Sequence, residues 1–372
     1  MQILLFDMDR VLLEPNGYHR ALQETVRLVS LLLGFEEYML SNEAIAKFES
    51  LGISSEWHSS ALCMALMVIE TQKRCAAPVT PPSKTPQKTN LDLSQLFASI
   101  EVQPFGLPAL ARSQTAIEQI ATQARVDPTL PMMIIQNSES IDYSLTFTIF
   151  QELVLGSEIF EQAYGQPSQL GQESYLNSFD RSNIKPSLRE KLIAWSDHPL
   201  NGAAIMTNRP SNSLLGLPGT PEAELGAALV GLDYLPVIGA GEMRWLANRF
   251  DEDVRTLLKP SSYHALSAIL AASGLPADDS LLKAHQIISG KSSPRLSYLD
   301  QCTIYIFEDT PGGILATDNA REILLTRGVN IQVRKLGITK DPSKRKSLVA
   351  IGSEVFDSVD LALQSIDSFN NL

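Results

Sequence analysis

The chain begins with a short apolar run that ends in two aspartates. Residues Ile3 to Phe6 are all apolar, and Asp7 and Asp9 follow at once, separated by one residue. A continuous apolar run of this length is typical of a strand that is buried on both faces. Alternate side chains of an extended chain share a face, and the chain turns after the strand, so both carboxylates can reach one small volume. Two carboxylates there need a cation, a proton or an arginine between them.

Three later stretches also place polar side chains at a boundary of predicted secondary structure. Two of them follow an apolar run, and one precedes a predicted helix. The polar residues of these stretches are Thr207, Asn208, Lys259, Glu308 and Asp309. From about residue 201, apolar runs alternate with helical patterns, which predicts a parallel sheet with crossover helices. Functional side chains of such a sheet gather where its strands end. We therefore expect these residues to lie at the same edge of the sheet as Asp7.

The apolar runs also predict the strands of this sheet. Strands are expected at residues 2–6, 203–207, 235–239, 303–307 and 330–335, with an edge strand at 348–351. A closing helix is expected at residues 358–365, and residues 277–294 are interpreted as a surface insertion.

A long region between the first strand and the rest of the sheet shows helical spacing and no strand pattern. The sequence therefore predicts a discontinuous core, formed by residues 1–13 and 199–372, and a helical insertion at residues 14–198. Within the insertion, residues 76–90 contain four prolines and few residues to bury. This composition indicates a flexible, exposed loop.

Charge and composition limit the class of protein. The formal net charge is -12 and the pI is near 5.0, which argues against nucleic acid or an anionic membrane as the main partner. The three cysteines lack the paired spacing of a metal site and are interpreted as reduced thiols. The sequence shows no basic leader and no apolar stretch long enough to span a bilayer. We therefore expect a cytoplasmic protein.

Taken in order, the four stretches resemble the motifs of the haloacid dehalogenase (HAD) superfamily of phosphohydrolases. Asp7-x-Asp9-x-Val11 is similar to the first motif, Thr207 to the second, Lys259 to the third and Glu308-Asp309 to the fourth. The Phe-Glu-Asp-x-x-x-Gly form of the last resembles the β-phosphoglucomutase and phosphoglycolate phosphatase branch. The resemblance implies an α/β fold: a HAD-like, Rossmannoid three-layer core with a parallel sheet, and a large α-helical cap inserted after the first strand.

The resemblance also implies roles for the motif residues. Asp7 would attack phosphorus and form a phospho-aspartate, while Asp9 would act as general acid and base. The cofactor would be Mg²⁺, held by Asp7, Asp309 and the backbone carbonyl of Asp9, with Glu308 as a direct or water-mediated ligand. The phosphoryl oxygens would be held by Thr207 and Lys259.

Three neighbouring residues are predicted to contact the substrate. They are Asn208, Arg10 and Arg209. Arg10 stands where this branch usually has glycine, and it could bind a second anionic group of the substrate. The alternative for Arg10 is that it faces solvent or pairs with an acidic residue of the cap, and Arg209 is a similar case.

The expected function is that of a Mg²⁺-dependent phosphatase that hydrolyses a small phosphate monoester. The partner would be a small phosphorylated metabolite, with no role for nucleic acid or a membrane, and the protein would be a monomer or a homodimer. Two alternatives remain open: a phosphomutase of the β-phosphoglucomutase type, and a non-catalytic binding protein on a HAD scaffold.

Overall fold

The computed structural model describes residues 1–53, 55–76, 91–103, 108–214, 219–290 and 296–370. The chain divides into two compact units. The first unit combines Met1–Pro15 with Asp180–Leu372, and the second is Asn16–Phe179.

The first unit contains all the strands found in the described ranges. They are β1 Gln2–Phe6, β2 Leu13–Glu14, β3 Arg181–Ser182, β4 Asn201–Met206, β5 Val237–Ile238, β6 Thr303–Glu308, β7 Gln332–Ile338 and β8 Glu354–Phe356. The second unit is helical. Its helices are α1 Asn16–Leu32, α2 Asn42–Ser50, α3 Glu56–Ala76, α4 Leu93–Glu101, α5 Ala109–Ala124, α6 Thr129–Gln136, α7 Leu145–Leu155, α8 Ser157–Tyr164 and α9 Tyr175–Phe179.

The helices of the first unit connect and cover its strands. They are α10 Pro186–Ser196, α11 Glu222–Val230, α12 Ala240–Phe250, α13 Val254–Leu257, α14 Ser262–Ala272, α15 Ala277–Ser289, α16 Pro311–Thr326, α17 Pro342–Ala350, α18 Val359–Gln364 and α19 Asp367–Asn370. A short 3₁₀ helix lies at Ser297–Leu299.

Six strands form one parallel sheet in the order β5-β4-β1-β6-β7-β8. The first strand is central, and Gln2 is in register with Asn201 of β4 on one side and Thr303 of β6 on the other. The remaining strands, β2 and β3, pair as a small antiparallel ribbon. The parallel sheet predicted from the alternation of strand and helix patterns is thus confirmed.

The apolar character of β1 follows from its place between two cores. Ile3 and Leu5 pack in a core with α12, α14, α15 and α16, whereas Leu4 and Phe6 pack in a second core with α10, α11, α18 and α19. Because successive side chains of a strand point to opposite faces, a strand covered on both faces must be apolar throughout. The first unit is therefore a Rossmann-like three-layer α/β/α core, as predicted.

The second unit is a helical insertion after the first strand, as the helical spacing predicts. Its first helix buries Ala21, Leu22, Thr25, Val26 and Val29 on one face. These residues recur at helical spacing, so α1 can bury one face against α3, α7 and α9.

Three predictions about the chain's organisation differ from the structure. Residues 180–198 belong to the first unit, because β3 pairs with β2 and α10 packs its buried Leu188, Leu192 and Trp195 into the core of that unit. The expected edge strand at 348–351 lies at the end of α17, and the edge strand is β8. The segment taken as a surface insertion contains α15, whose Leu281, Ala284 and Ile287 are buried.

The proline-rich segment at 76–90 lies, apart from Ala76, outside the described residues. All three cysteines are free: Cys63 and Cys302 are buried, and Cys75 is exposed. None of the helices in the described ranges combines the length and the apolar character that crossing a bilayer requires.

Candidate active site

The ends of three neighbouring strands bring the predicted site residues to one edge of the sheet. Asp7 follows β1, Thr207 follows β4, and Glu308 and Asp309 stand at the end of β6. Because β4, β1 and β6 are adjacent and parallel, their carboxyl ends lie side by side. The backbone N–H of Asp7 donates to the carbonyl of Phe307 at 2.9 Å, which ties the first aspartate to the strand that carries the other two acids.

Lys259 links two of these acids, although it comes from a loop before α14. Its Nζ donates to Asp7 Oδ1 at 2.8 Å and to Glu308 Oε1 at 2.5 Å. The Lys259 side chain is only 6% exposed, so the ammonium has little contact with water and depends on these two carboxylates. A lysine that shows no distinctive pattern in the sequence is therefore a buried part of the site.

Three carboxylates form a compact group that could hold a metal ion. One oxygen of each of Asp7, Glu308 and Asp309 lies within 4.8 Å of the others, and all three residues are buried. The second oxygen of Glu308, Oε2, is buried and has no hydrogen-bond partner among the described residues. A buried carboxylate oxygen without a donor is costly unless a cation or a proton satisfies it. A donor set made only of oxygens fits a hard ion such as Mg²⁺.

The electrostatics of this group also favour a cation. Burial raises the pKa of Asp7 above its ordinary range, and Lys259 only partly opposes the rise. Burial and the neighbouring Asp7 charge raise the pKa of Glu308 well above its ordinary range. Burial disfavours the charged form of Lys259, but Asp7 and Glu308 outweigh it and raise the pKa of the ammonium. Burial thus disfavours the charged forms of Asp7 and Glu308 more than Lys259 favours them, and a bound cation would offset this cost.

Asp9 is held in a different ion pair. Arg209 donates from Nε to Asp9 Oδ1 at 2.9 Å and from Nη2 to the same oxygen at 2.5 Å, and its Nη2 also lies 3.1 Å from Asp180 Oδ2. Arg209 and Asp180 are almost completely buried, whereas the side chain of Asp9 is 33% exposed. The carboxylate of Asp9 is not part of the acidic group, and Arg209, predicted to bind substrate, is paired with two aspartates.

The loop after β4 is fixed by hydrogen bonds at both of its polar residues. The Thr207 N–H donates to the Ile238 carbonyl at 3.1 Å, and Thr207 Oγ1 accepts from the Arg209 N–H at 3.1 Å. Asn208 Oδ1 accepts from the Lys259 N–H at 3.3 Å, so the loop is joined to the segment that carries the lysine. Thr207 is buried and Asn208 is exposed.

Arg10 occupies a position that favours glycine. Its φ is 62°, in the left-handed region, and its N–H donates to the Leu13 carbonyl at 2.6 Å in the turn after β1. Residues other than glycine adopt this conformation at a cost of about 1 kcal/mol. The backbone conformation does not show what the Arg10 side chain binds, so the predicted contact with a substrate anion stays a prediction.

Sequence reasoning missed three residues in or beside the site. Lys344, in the first turn of α17, pairs with Asp309 Oδ2. Asp180 pairs with Arg209. His264 donates from Nε2 to the Ile238 carbonyl at 2.9 Å, and burial, together with Lys259, lowers its pKa to about 3, so the ring is neutral.

Only one of the three had a usable signal. Lys344 follows the end of β7, at the same edge of the sheet as Asp309, in a segment with several basic residues. Nothing in the local sequence distinguishes Asp180 or His264, because their roles depend on residues distant in the chain.

Comparison with known proteins supports the fold. No family model matches the chain, and a search of the curated proteins finds no match. The chain is similar in structure to the X-ray structure of Northeast Structural Genomics Consortium target ZR25, with a TM-score of 0.70, 16% identity and 100% of both chains covered. It also aligns with phosphatase Tt82 from Thermococcus thioreducens, with a TM-score of 0.42 and 13% identity over 94% of this chain and 99% of the other. The first likeness shows a shared fold and, at 16% identity, nothing finer.

Proposed function

We propose that the protein is a Mg²⁺-dependent phosphatase of the HAD type that hydrolyses a small phosphate monoester. The observation that carries the proposal is the group of Asp7, Glu308 and Asp309 at adjacent strand ends, with Lys259 buried between the first two. A phosphate monoester is a dianion, so it approaches a carboxylate nucleophile only where positive charge is concentrated.

Glycine at position 313 supports the proposed cation site. A Cβ atom at Gly313 would come within 1.8 Å of Glu308 Oε1, so only glycine leaves room for this carboxylate. Together with the unpartnered Glu308 Oε2, this fits a bound Mg²⁺ held by Asp7, Asp309 and the Asp9 carbonyl, with Glu308 direct or through water. The ion would supply charge neutralisation for the phosphoryl group.

The chain's own residues would carry out the reaction in two steps. In the first, an Asp7 oxygen attacks phosphorus, the bond from phosphorus to the ester oxygen breaks, and Asp9 gives the leaving oxygen its proton. In the second, Asp9 takes a proton from water, the water oxygen attacks phosphorus, and the bond to Asp7 breaks to release inorganic phosphate. Throughout, Lys259 and the Thr207 hydroxyl would hold the phosphoryl oxygens.

In this proposal, Asp9 must be released from Arg209 before it can act. Both oxygens of Asp9 accept hydrogen bonds from Arg209, so the carboxylate is engaged by the guanidinium. Substrate would therefore have to shift Asp9 or share Arg209 with it. Arg209 would in that case retain its buried partner Asp180.

The first test is a panel of small phosphate esters, assayed with Mg²⁺ and with EDTA. Asp7→Asn should abolish turnover, because an amide cannot form the acyl phosphate, and should leave the far-UV circular dichroism unchanged. Asp233→Asn, at an exposed aspartate of the same unit, is the matched control and should keep full activity.

Trapping the intermediate distinguishes a nucleophile from a binding carboxylate. Wild-type protein quenched in acid after mixing with a substrate labelled in the phosphoryl group should carry label that hydroxylamine releases, and Asp7→Asn should carry none. An active Asp7→Asn variant would refute the mechanism. Transfer of the label to a sugar phosphate instead of water would favour the mutase alternative.

A further inference from the structure

Lys344 is a second lysine of the site, and the stability of its helix does not explain its position. It is the third residue of α17, where the positive end of the helix dipole disfavours a cation. Asp341 caps this helix and accepts from the N–H groups of Ser343 and Lys344 at 2.8 Å, which fixes the backbone from which the lysine extends. The side chain reaches Asp309 on the neighbouring strand end and pairs with its Oδ2.

Each of the three carboxylates forms an ion pair with one of the two lysines. Lys259 pairs with Asp7 and Glu308, and Lys344 pairs with Asp309. Their exposure differs: the side chain of Lys259 is 6% exposed and that of Lys344 is 30% exposed. Lys259 is therefore enclosed by the site, whereas Lys344 reaches it from the solvent side.

We propose that Lys344 is a built-in counter-ion for Asp309 that a divalent cation displaces when it binds. This inference rests on the proposed function, because it assumes that Asp309 is a metal ligand. An ammonium and a divalent cation on one carboxylate repel each other, and the repulsion falls if the ammonium moves away. Lys344 can do so, because its flexible stem and partial exposure let the ammonium return to water.

The exchange has two consequences for the site. Without metal, Lys344 limits the repulsion among three carboxylates and so stabilises the folded protein. With metal, its charge opposes binding and sets a weaker affinity than the carboxylates alone would give. A counter-ion role thus predicts opposite effects of Lys344 on the stability of the empty site and on affinity for the ion.

Calorimetric titration with MgCl₂ and thermal unfolding in EDTA test both consequences in the whole protein. Lys344→Met should bind Mg²⁺ about tenfold more tightly, as expected for removal of one charge beside a divalent ion. It should also unfold at a lower temperature in EDTA and gain more from added Mg²⁺ than the wild type does.

Two further variants test whether the effects depend on the positive charge at position 344. Lys344→Arg keeps the charge and should behave like the wild type, and Lys346→Met removes an equal charge from an exposed position of the same helix and should change neither readout. If Lys344→Met does not fold, Lys344→Gln makes the same comparison.

The outcomes distinguish this inference from the proposed function. Equal Mg²⁺ affinity in wild type and Lys344→Met would overturn the counter-ion role and leave the metal site standing. Weaker affinity in the variant would also overturn it, because Lys344 would then position Asp309 for the metal. A wild type that neither binds nor is stabilised by Mg²⁺ would refute the metal site itself, and the exchange with it.

Discussion

Single residues around the acidic group show how closely the backbone approaches the site. Gly313 lies in the first turn of α16, directly beside Glu308, and its missing side chain leaves the space that the carboxylate fills. Its neighbour Gly312 has more room, because a methyl group there would lie 3.8 Å from its nearest neighbour, Lys259 Cβ, which is an ordinary contact. Two adjacent glycines therefore have different constraints, which gives a matched pair of variants.

Gly313→Ala should displace Glu308 and reduce Mg²⁺ affinity and phosphatase activity by about tenfold or more, because residues that support metal ligands have effects of this size. Gly312→Ala should leave both within about twofold and should slightly stabilise the helix. Calorimetric titration and steady-state assays measure the two effects. Equal losses in the two variants would show that helix geometry, and not the place of Glu308, determines the result.

The backbone conformation of Arg10 favours glycine, whereas the predicted contact with an anion needs the arginine side chain. The left-handed turn after β1 favours glycine, yet this chain has arginine there. The HAD branch that the sequence resembles usually has glycine at this position. Backbone conformations of this costly kind are enriched at functional sites. The prediction that Arg10 contacts an anionic substrate therefore stands as one to test.

The first turn of helix α11 contains a glutamate, Glu224, whose pKa is raised by burial. Asn212 donates its N–H to Glu224 Oε1 at 3.0 Å, while Glu224 Oε2 is buried with no hydrogen-bond partner in the described part of the chain. Burial raises the pKa of Glu224 to about 7, and the nearby Glu242 and Glu222 contribute to the rise. The folded protein therefore holds this proton more tightly than the unfolded chain.

The raised pKa of Glu224 sets the sign of a pH effect on stability. Its contribution is fully present below the ordinary glutamate pKa and is lost as pH rises towards and through about 7. The side chain of Glu224→Gln cannot ionise, so the variant does not lose this contribution as pH rises. The difference in free energy of unfolding, variant minus wild type, should therefore be about 2 kcal/mol larger at pH 8 than at pH 4.5.

Urea unfolding at a series of pH values measures this difference. Glu190→Gln, which removes the same charge from an exposed position on α10, should show little pH dependence relative to the wild type. A Glu224→Gln curve parallel to that of the wild type would mean that the carboxylate is not protonated in the folded state.

Each of the two units buries its own apolar residues. The first has the two cores on either side of the sheet, and the second has the packed faces of its helices. Two chain connections join them, near residues 15 and 180. Units with separate cores commonly unfold in separate transitions.

The tryptophans allow this expectation to be tested. Trp57 lies in the second unit, and Trp195 and Trp245 lie in the first. In urea, a Trp57→Phe variant and a Trp195→Phe/Trp245→Phe double variant should give fluorescence transitions with different midpoints, because each reports on one unit. Coincident curves from both variants, matching wild-type circular dichroism, would show that the units unfold cooperatively.

Much of the architecture could be predicted because it depends on short-range patterns. The apolar runs of β1, β4 and β6 specify strands covered on both faces, and helical spacing specifies the insertion. The errors arose where local pattern is weak. The first turn of α15 begins after a proline and is rich in acids, and the buried side of this helix is recognisable only against the core that it covers. The segment at 180–198 joins the first unit through pairing with β2, which is distant in sequence.

The amino-acid sequence is enough to predict which strands end in acidic residues and the order of those strands along the chain, because apolar periodicity and strand ends are local properties. Tertiary structure alone decided the ion pairs: Lys259 with Asp7 and Glu308, Arg209 with Asp9 and Asp180, and Lys344 with Asp309. The physical reason is that these partners lie far apart in the chain. The charge that each carboxylate meets depends on which loops the parallel sheet gathers at its edge, and no local pattern encodes that.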